Sequence, residues 1–87
     1  MEFTATMMFL GIKNRITQNG SGFNVTMYVP GGDAWDFYMK ASPENNDVIT
    51  YLLNCSSGRF VDVTFVVGKY NADNRLYLRI KSVEDAA

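Results

Sequence analysis

Eighty-seven residues allow one domain, spanning residues 1–87, with a single small core. Hydrophobic residues at 47% and charged residues at 20% are the balance of a globular chain, not of a disordered tail, and no apolar run nears the ~18 residues of a membrane span. Net charge is −1, so nucleic-acid affinity cannot come from overall charge and must come from local placement of cations. The chain contains no histidine and a single cysteine, Cys55. That composition argues against a zinc site, an internal disulfide and histidine acid–base chemistry. No basic n-region precedes an apolar stretch at the start, so no secretory leader is expected. The lone cysteine points to a reducing, cytoplasmic setting.

Residues 3–10 are apolar and β-prone; Gly11 interrupts the run and Ile12 resumes it. A glycine inside a strand pattern marks a bulge or bend. Asn19-Gly20-Ser21-Gly22 reads as a turn. Phe23, Val25, Met27 and Val29 alternate with Asn24, Thr26 and Tyr28 as a half-buried second strand. After the turn residues Pro30-Gly31-Gly32-Asp33, Trp35, Phe37 and Met39 alternate with Asp36, Tyr38 and Lys40 in a third. Ser42 as N-cap, Pro43 at the first helical position and an apolar stripe of Val48, Ile49, Leu52 and Leu53 predict one helix over 43–55, stopped by Ser57-Gly58. Val61, Val63, Phe65 and Val67 form a fourth strand. Leu76, Leu78 and Ile80 alternate with Arg75, Tyr77, Arg79 and Lys81 in a fifth, with a tail that frays after Val83 or Glu84. Met7, Met8, Met27, Met39 and Cys55 are expected to fill the core.

The order is three strands, a helix and two strands. Five short strands must either curl shut or find a second layer. A five-stranded Greek-key barrel capped by the helix closes the apolar faces onto one core. A long first strand with a mid-strand glycine suits that barrel, because the strand must bend to pair in both halves. The competing arrangement is an open sheet with the helix on one face.

Phe9-Leu10-Gly11-Ile12-Lys13, a turn, and the alternating run Phe23–Val29 resemble the opening of bacterial and phage single-stranded DNA-binding proteins of the OB-fold type. Ala34-Trp35-Asp36-Phe37-Tyr38 resembles the tryptophan-led third strand of that family, and the later helix–strand–strand order matches over about residues 3–84. The resemblance implies an OB-fold domain that coats single-stranded DNA, or RNA, in processes such as replication. The chain ends at Val83-Glu84-Asp85-Ala86-Ala87, without the long acidic tail of the bacterial members, and so is more like a minimal phage or plasmid version. That likeness implies the cytoplasm of a bacterium carrying such an element.

Single-strand binding needs cations along the phosphates and aromatic faces for the bases. Lys13, Asn14, Arg15, Gln18 and Asn19 form one basic segment between strands, and Lys69, Tyr70, Asn71, Asn74 and Arg75 form another. The same residues also suit a pair of ordinary solvated turns. Tyr28 and Tyr38 share a polar face with Asn24, Thr26, Asp36 and Lys40, either as base platforms or as sheet-stabilising cross-strand aromatics. Trp35 is a stacking residue by resemblance, whereas its parity with Phe37 and Met39 places it at the core or its rim. Arg75, Tyr77, Arg79 and Lys81 make a basic stripe that would either track phosphates or protect a sheet edge. Phe60 and Val66 fall on the polar parity of the fourth strand, under the helix or at a subunit interface.

Two functions compete. The first is a non-catalytic, cofactor-free single-stranded DNA-binding protein that self-associates, most simply as a two-fold dimer, without contact to membranes. The second is a protein-interaction module or assembly subunit. No nucleophile–base pair, paired-carboxylate site or phosphate-cradling motif supports an enzyme.

Overall fold

The computed structural model describes residues 1–18, 20–29, 31–69 and 76–86. The chain forms β1 (Glu2–Thr17), β2 (Gly20–Tyr28), β3 (Ala34–Lys40), a 3-10 turn (Pro43–Asn45), α1 (Asn46–Leu53), β4 (Phe60–Lys69) and β5 (Leu76–Asp85). β1 is the longest element at 16 residues and serves two ladders. Its first half, Glu2–Met8, pairs with β4, and its second half, Met8–Thr17, pairs with β2. Met8 alone belongs to both. The register passes from Phe9↔Met27 to Gly11↔Thr26, so Leu10 is the extra residue of a bulge, and there the strand turns from one partner to the other. Gly11 is not itself in a left-handed conformation, and a Cβ there would meet nothing within 4 Å. The inserted residue therefore makes the bend.

The hydrogen-bonded order is β3-β2-β1-β4-β5, with every ladder antiparallel. β3 and β5 therefore both run parallel to β1. No ladder joins them among the described residues: the chain forms a five-stranded antiparallel sheet with one short helix, and the closed barrel expected from the sequence is not completed by hydrogen bonds. Among the described residues no helix is long and apolar enough to cross a membrane.

Strand alternation delivers the core. Met7 and Phe9, Val25 and Met27, Phe37 and Met39, Val61, Val63 and Phe65, and Ile80 all point inward, and Val48, Ile49 and Leu52 of α1 cover them. The rings of Phe37 on β3 and Phe65 on β4 lie 5.1 Å apart, although β2 and β1 separate those strands in the sheet. The sheet is curled so far that its third and fourth strands face each other across the interior. Met8 is a correction to the expected core set. Its neighbours Met7 and Phe9 are buried, so Met8 points to the outer face and is only half-buried. Phe60 is likewise outside and 45% exposed, not under the helix.

The helix is shorter than the span 43–55. Pro43 starts a 3-10 turn, and the α-helix begins at Asn46. Ser42 makes no side-chain cap to the backbone; its hydroxyl donates to Glu44, and the Asn45 amide donates to the Lys40 carbonyl at 2.9 Å. Gly58 adopts φ +92°, a left-handed conformation disfavoured for residues with a side chain, and its N–H donates to the Phe9 carbonyl at 2.7 Å. The Phe9 N–H in turn donates to the Arg59 carbonyl at 2.8 Å, so the exit from the helix is tied to β1 beside the bulge.

The last strand does not fray where the sequence predicts. Asp85 pairs with Val61, and its carboxylate accepts the Tyr51 hydroxyl from α1 and an ion pair from Arg59 at 2.9 Å. This clasp joins helix, β4 and β5. The bond to Asp85, reinforced by partial desolvation and the nearby negative charge, pushes the Tyr51 phenol up to about 12. Burial raises the neighbouring half-buried Cys55 thiol above its ordinary value.

A tyrosine in the unfolded chain titrates near ~10. The clasp therefore contributes fully below that pH and is lost as pH rises through about 12. Tyr51→Phe is expected to cost about 1 kcal/mol at neutral pH. In urea denaturation the gap between parent and variant should close across that alkaline window; a constant gap would show that the hydroxyl is not what holds the strand end.

Candidate functional site

The bend in β1 divides the outer face of the sheet into two halves of different chemistry. On the β1–β2–β3 side the outward residues run in cross-strand rows. Lys13 pairs with Asn24 and Asn24 with Tyr38; Arg15 pairs with Gly22 and Gly22 with Lys40; Thr26 pairs with Asp36. Three cations, Lys13, Arg15 and Lys40, thus face outward against the single carboxylate Asp36, which accepts the Thr26 hydroxyl at 2.6 Å. On the β1–β4–β5 side hydroxyls and acids face outward together with Val66, Arg79 and Tyr77. Thr4 and Thr64 share a hydrogen bond at 3.0 Å, Thr6 donates to Asp62 at 2.6 Å, and Glu2 and Glu84 lie on the same face.

The basic half is built around an aromatic ring seated on a glycine. A Cβ on Gly22 would stand 2.5 Å from the Tyr38 hydroxyl oxygen and 2.6 Å from the Met39 carbonyl oxygen, so only glycine lets the phenol lie down across β2. The Arg15 guanidinium sits 5.6 Å from the Tyr38 ring centroid and donates to Asn24 at 3.3 Å. A cation over a ring face is attracted by the ring quadrupole, an effect worth about 0.5–1 kcal/mol at an exposed site. Gly68 on β4 repeats the device: it pairs with Tyr77 on β5, whose ring occupies the place of a side chain.

Tyr38 and Tyr77 border a common cleft. The edges of β3 and β5, which no ladder joins among the described residues, leave an open groove of about 700 Å³ between them, walled by Asp36, Tyr38 and Lys40 on one side and Tyr77 and Arg79 on the other. Glu44 and Asn45 from the 3-10 turn line it as well, and Phe37, Met39 and Leu78 supply its apolar part. Its charge is balanced, with two cations and two acids, so the cation surplus lies on the adjoining strand face and not in the groove itself.

The structure brings Lys13, Arg15, Tyr38, Lys40, Tyr77 and Arg79 together around this face and groove. Lys13 and Arg15 sit on β1 rather than in a loop, because their backbone groups are paired with β2 up to Thr17↔Gly20. Trp35 follows its parity: it lies on the inward side opposite Met27, 6.3 Å from Phe37, yet at the rim and 48% exposed. Tyr28 is outward but stands apart, opposite Met8. Lys69 is exposed at the end of β4. Lys81 is the extra residue of a second bulge, between Thr64↔Ser82 and Phe65↔Ile80, and pairs with Glu2 at 2.7 Å, an interaction that draws the Glu2 carboxyl below its usual range. The stripe of alternating cations therefore gives way at Lys81. Tyr70 and Arg75 lie outside the described residues. Sequence reasoning missed Gly22 and Gly68 as seats for the two tyrosines; a glycine inside an alternating strand is the signal for such a close approach.

Among the described residues no cluster of three or more His, Cys, Asp or Glu side chains could hold a metal ion. Comparison of the chain with family models, with curated proteins and with solved structures gave no match.

The two strand glycines near the site should respond oppositely to alanine. Gly11→Ala has room for its methyl and is expected to be neutral or to stabilise by up to about 1 kcal/mol. Gly22→Ala must displace Tyr38 and the Met39 backbone and is expected to cost about 1–3 kcal/mol. Thermal denaturation of both variants checks the pair, and a change in tyrosine fluorescence should accompany only the second.

Proposed function

We propose that the protein binds single-stranded nucleic acid, without catalysis, along the basic half of its outer sheet face and the adjoining groove. The observation that carries this reading is the Arg15–Tyr38 cation–π pair set among Lys13, Lys40 and Arg79. A planar guanidinium over a phenol is a surface on which a base can stack, and the surrounding cations lie where a sugar–phosphate strand would pass. Among the described residues, Lys13, Lys40 and Arg79 make no ion pair, whereas Arg59 and Lys81 are committed to Asp85 and Glu2. Of the cations without an ion pair among the described residues, Lys13, Lys40 and Arg79 lie around this face and Lys69 stands at the end of β4.

The same reading takes the curled sheet to be an OB-type Greek-key barrel. The bent β1 shared by two ladders, the parallel β3 and β5 edges and the Phe37–Phe65 contact across the interior support it. The groove then lies along the closing seam of the barrel.

A protein-interaction role is the second reading. It is favoured by Phe60, Trp35 and Leu78, large apolar side chains that are 45%, 48% and 41% exposed.

Titration with oligo(dT) and oligo(rU), followed by tryptophan or tyrosine fluorescence at two salt concentrations, distinguishes the readings and the two nucleic acids. With about 3–4 phosphates neutralised, log affinity should fall with log salt at a slope of roughly −2 to −3. Tyr38→Ala should weaken binding by about 1–3 kcal/mol while leaving that slope intact. Lys13→Ala should reduce the slope instead. Absence of binding to either oligomer at low salt would leave the interaction role as the function.

A further inference from the structure

The outer face carries a second pattern that nucleic-acid binding does not use. Tyr28 pairs with Met8 and Met8 with Phe60, so the three side chains form one row across β2, β1 and β4. Tyr28 and Met8 are half-buried and Phe60 is 45% exposed. On one side of the row Lys13, Arg15 and Lys40 outnumber Asp36; on the other, the three acids Glu2, Asp62 and Glu84 outnumber the two cations Lys81 and Arg79. An apolar row between halves of opposite charge is complementary to itself under a two-fold rotation, because an isologous contact sets each patch against its own reversed copy. The spacing suits such an axis at Met8. Glu2 precedes it along β1, and Arg15 follows it with the Leu10 bulge taking up one residue, so each lies six paired positions from Met8, about 20 Å along the strand.

We propose that this face is the contact between two copies of the chain. The Tyr28–Met8–Phe60 rows meet at the two-fold, and the basic half of each copy lies toward the acidic half of the other. A different protein would have to match the row and both charged halves together, whereas a second copy does so by symmetry. The contact covers Lys13 and Arg15, so a nucleic-acid strand and the second copy compete for the basic half. That consequence rests on the proposed function; the contact itself does not.

Sedimentation equilibrium without nucleic acid, from micromolar to millimolar protein at low and high salt, tests the contact. The parent should dimerise, more tightly at low salt. Phe60→Ser, at an exposed site, should weaken the dimer by about tenfold or more. The double variant Lys13→Glu, Arg15→Glu has two acidic halves and should be monomeric, as should Asp62→Lys, Glu84→Lys, which has two basic halves. Mixing these two variants should restore a dimer, because each half of one then meets a half of opposite net charge on the other. A parent that stays monomeric throughout overturns the proposal, as does a Phe60→Ser protein that dimerises like the parent or a mixture of folded reversed variants that fails to associate. Circular dichroism establishes that each variant is folded; if a reversed variant is not, the Phe60→Ser comparison decides.

Discussion

Everything in this chain follows from one strand having to satisfy two neighbours. β1 pairs with β4 through its first half and with β2 through its second, and the two ladders overlap only at Met8. A flat strand serving both neighbours along separate halves would leave the apolar face of the sheet in water. The extra residue at Leu10 turns the strand instead, so the sheet curls until Phe37 on β3 reaches Phe65 on β4. The inward residues then share one core, and α1 closes it with Val48, Ile49 and Leu52. The Gly58 and Arg59 backbone bonds to Phe9 tie the helix exit to the strand close to where it turns.

The same bend organises the surface. Before the bulge the outward residues of β1 are Glu2, Thr4 and Thr6, beside β4 and β5; after it they are Lys13 and Arg15, beside β2 and β3. A chain with a net charge of −1 thereby carries a basic half and an acidic half, joined by the apolar row at Met8. Within the basic half, glycine positions the aromatic group: Gly22 admits the Tyr38 ring, and the ring in turn holds the Arg15 guanidinium. The arrangement of this face is set by backbone proximity more than by any single reactive side chain.

Much of this was legible in the amino-acid order. Period-two alternation identified the inward residues of β2, β3 and β4, and the interruption at Gly11 marked to within one residue where β1 turns, because strand alternation and bulges are local properties of the chain. The placement of Trp35 with Phe37 also followed from parity alone. The helix was visible as an apolar stripe, but its start was not, since Pro43 opens a 3-10 turn before the α-helix at Asn46. Lys13 and Arg15 read as loop residues because they are polar; they are strand residues because β2 satisfies their backbone, a long-range fact.

By itself, then, the sequence determined five strands and a helix, the parity of most core residues and the absence of histidine chemistry. It could not determine which strands pair, because a ladder joins residues distant in sequence and its register depends on the whole sheet. Tertiary structure alone decided that Met8 faces outward, that Lys81 is taken by Glu2, and that Tyr38 rests on Gly22 under Arg15. Each of these depends on which side chain the curled sheet brings opposite another, and local periodicity holds no record of that.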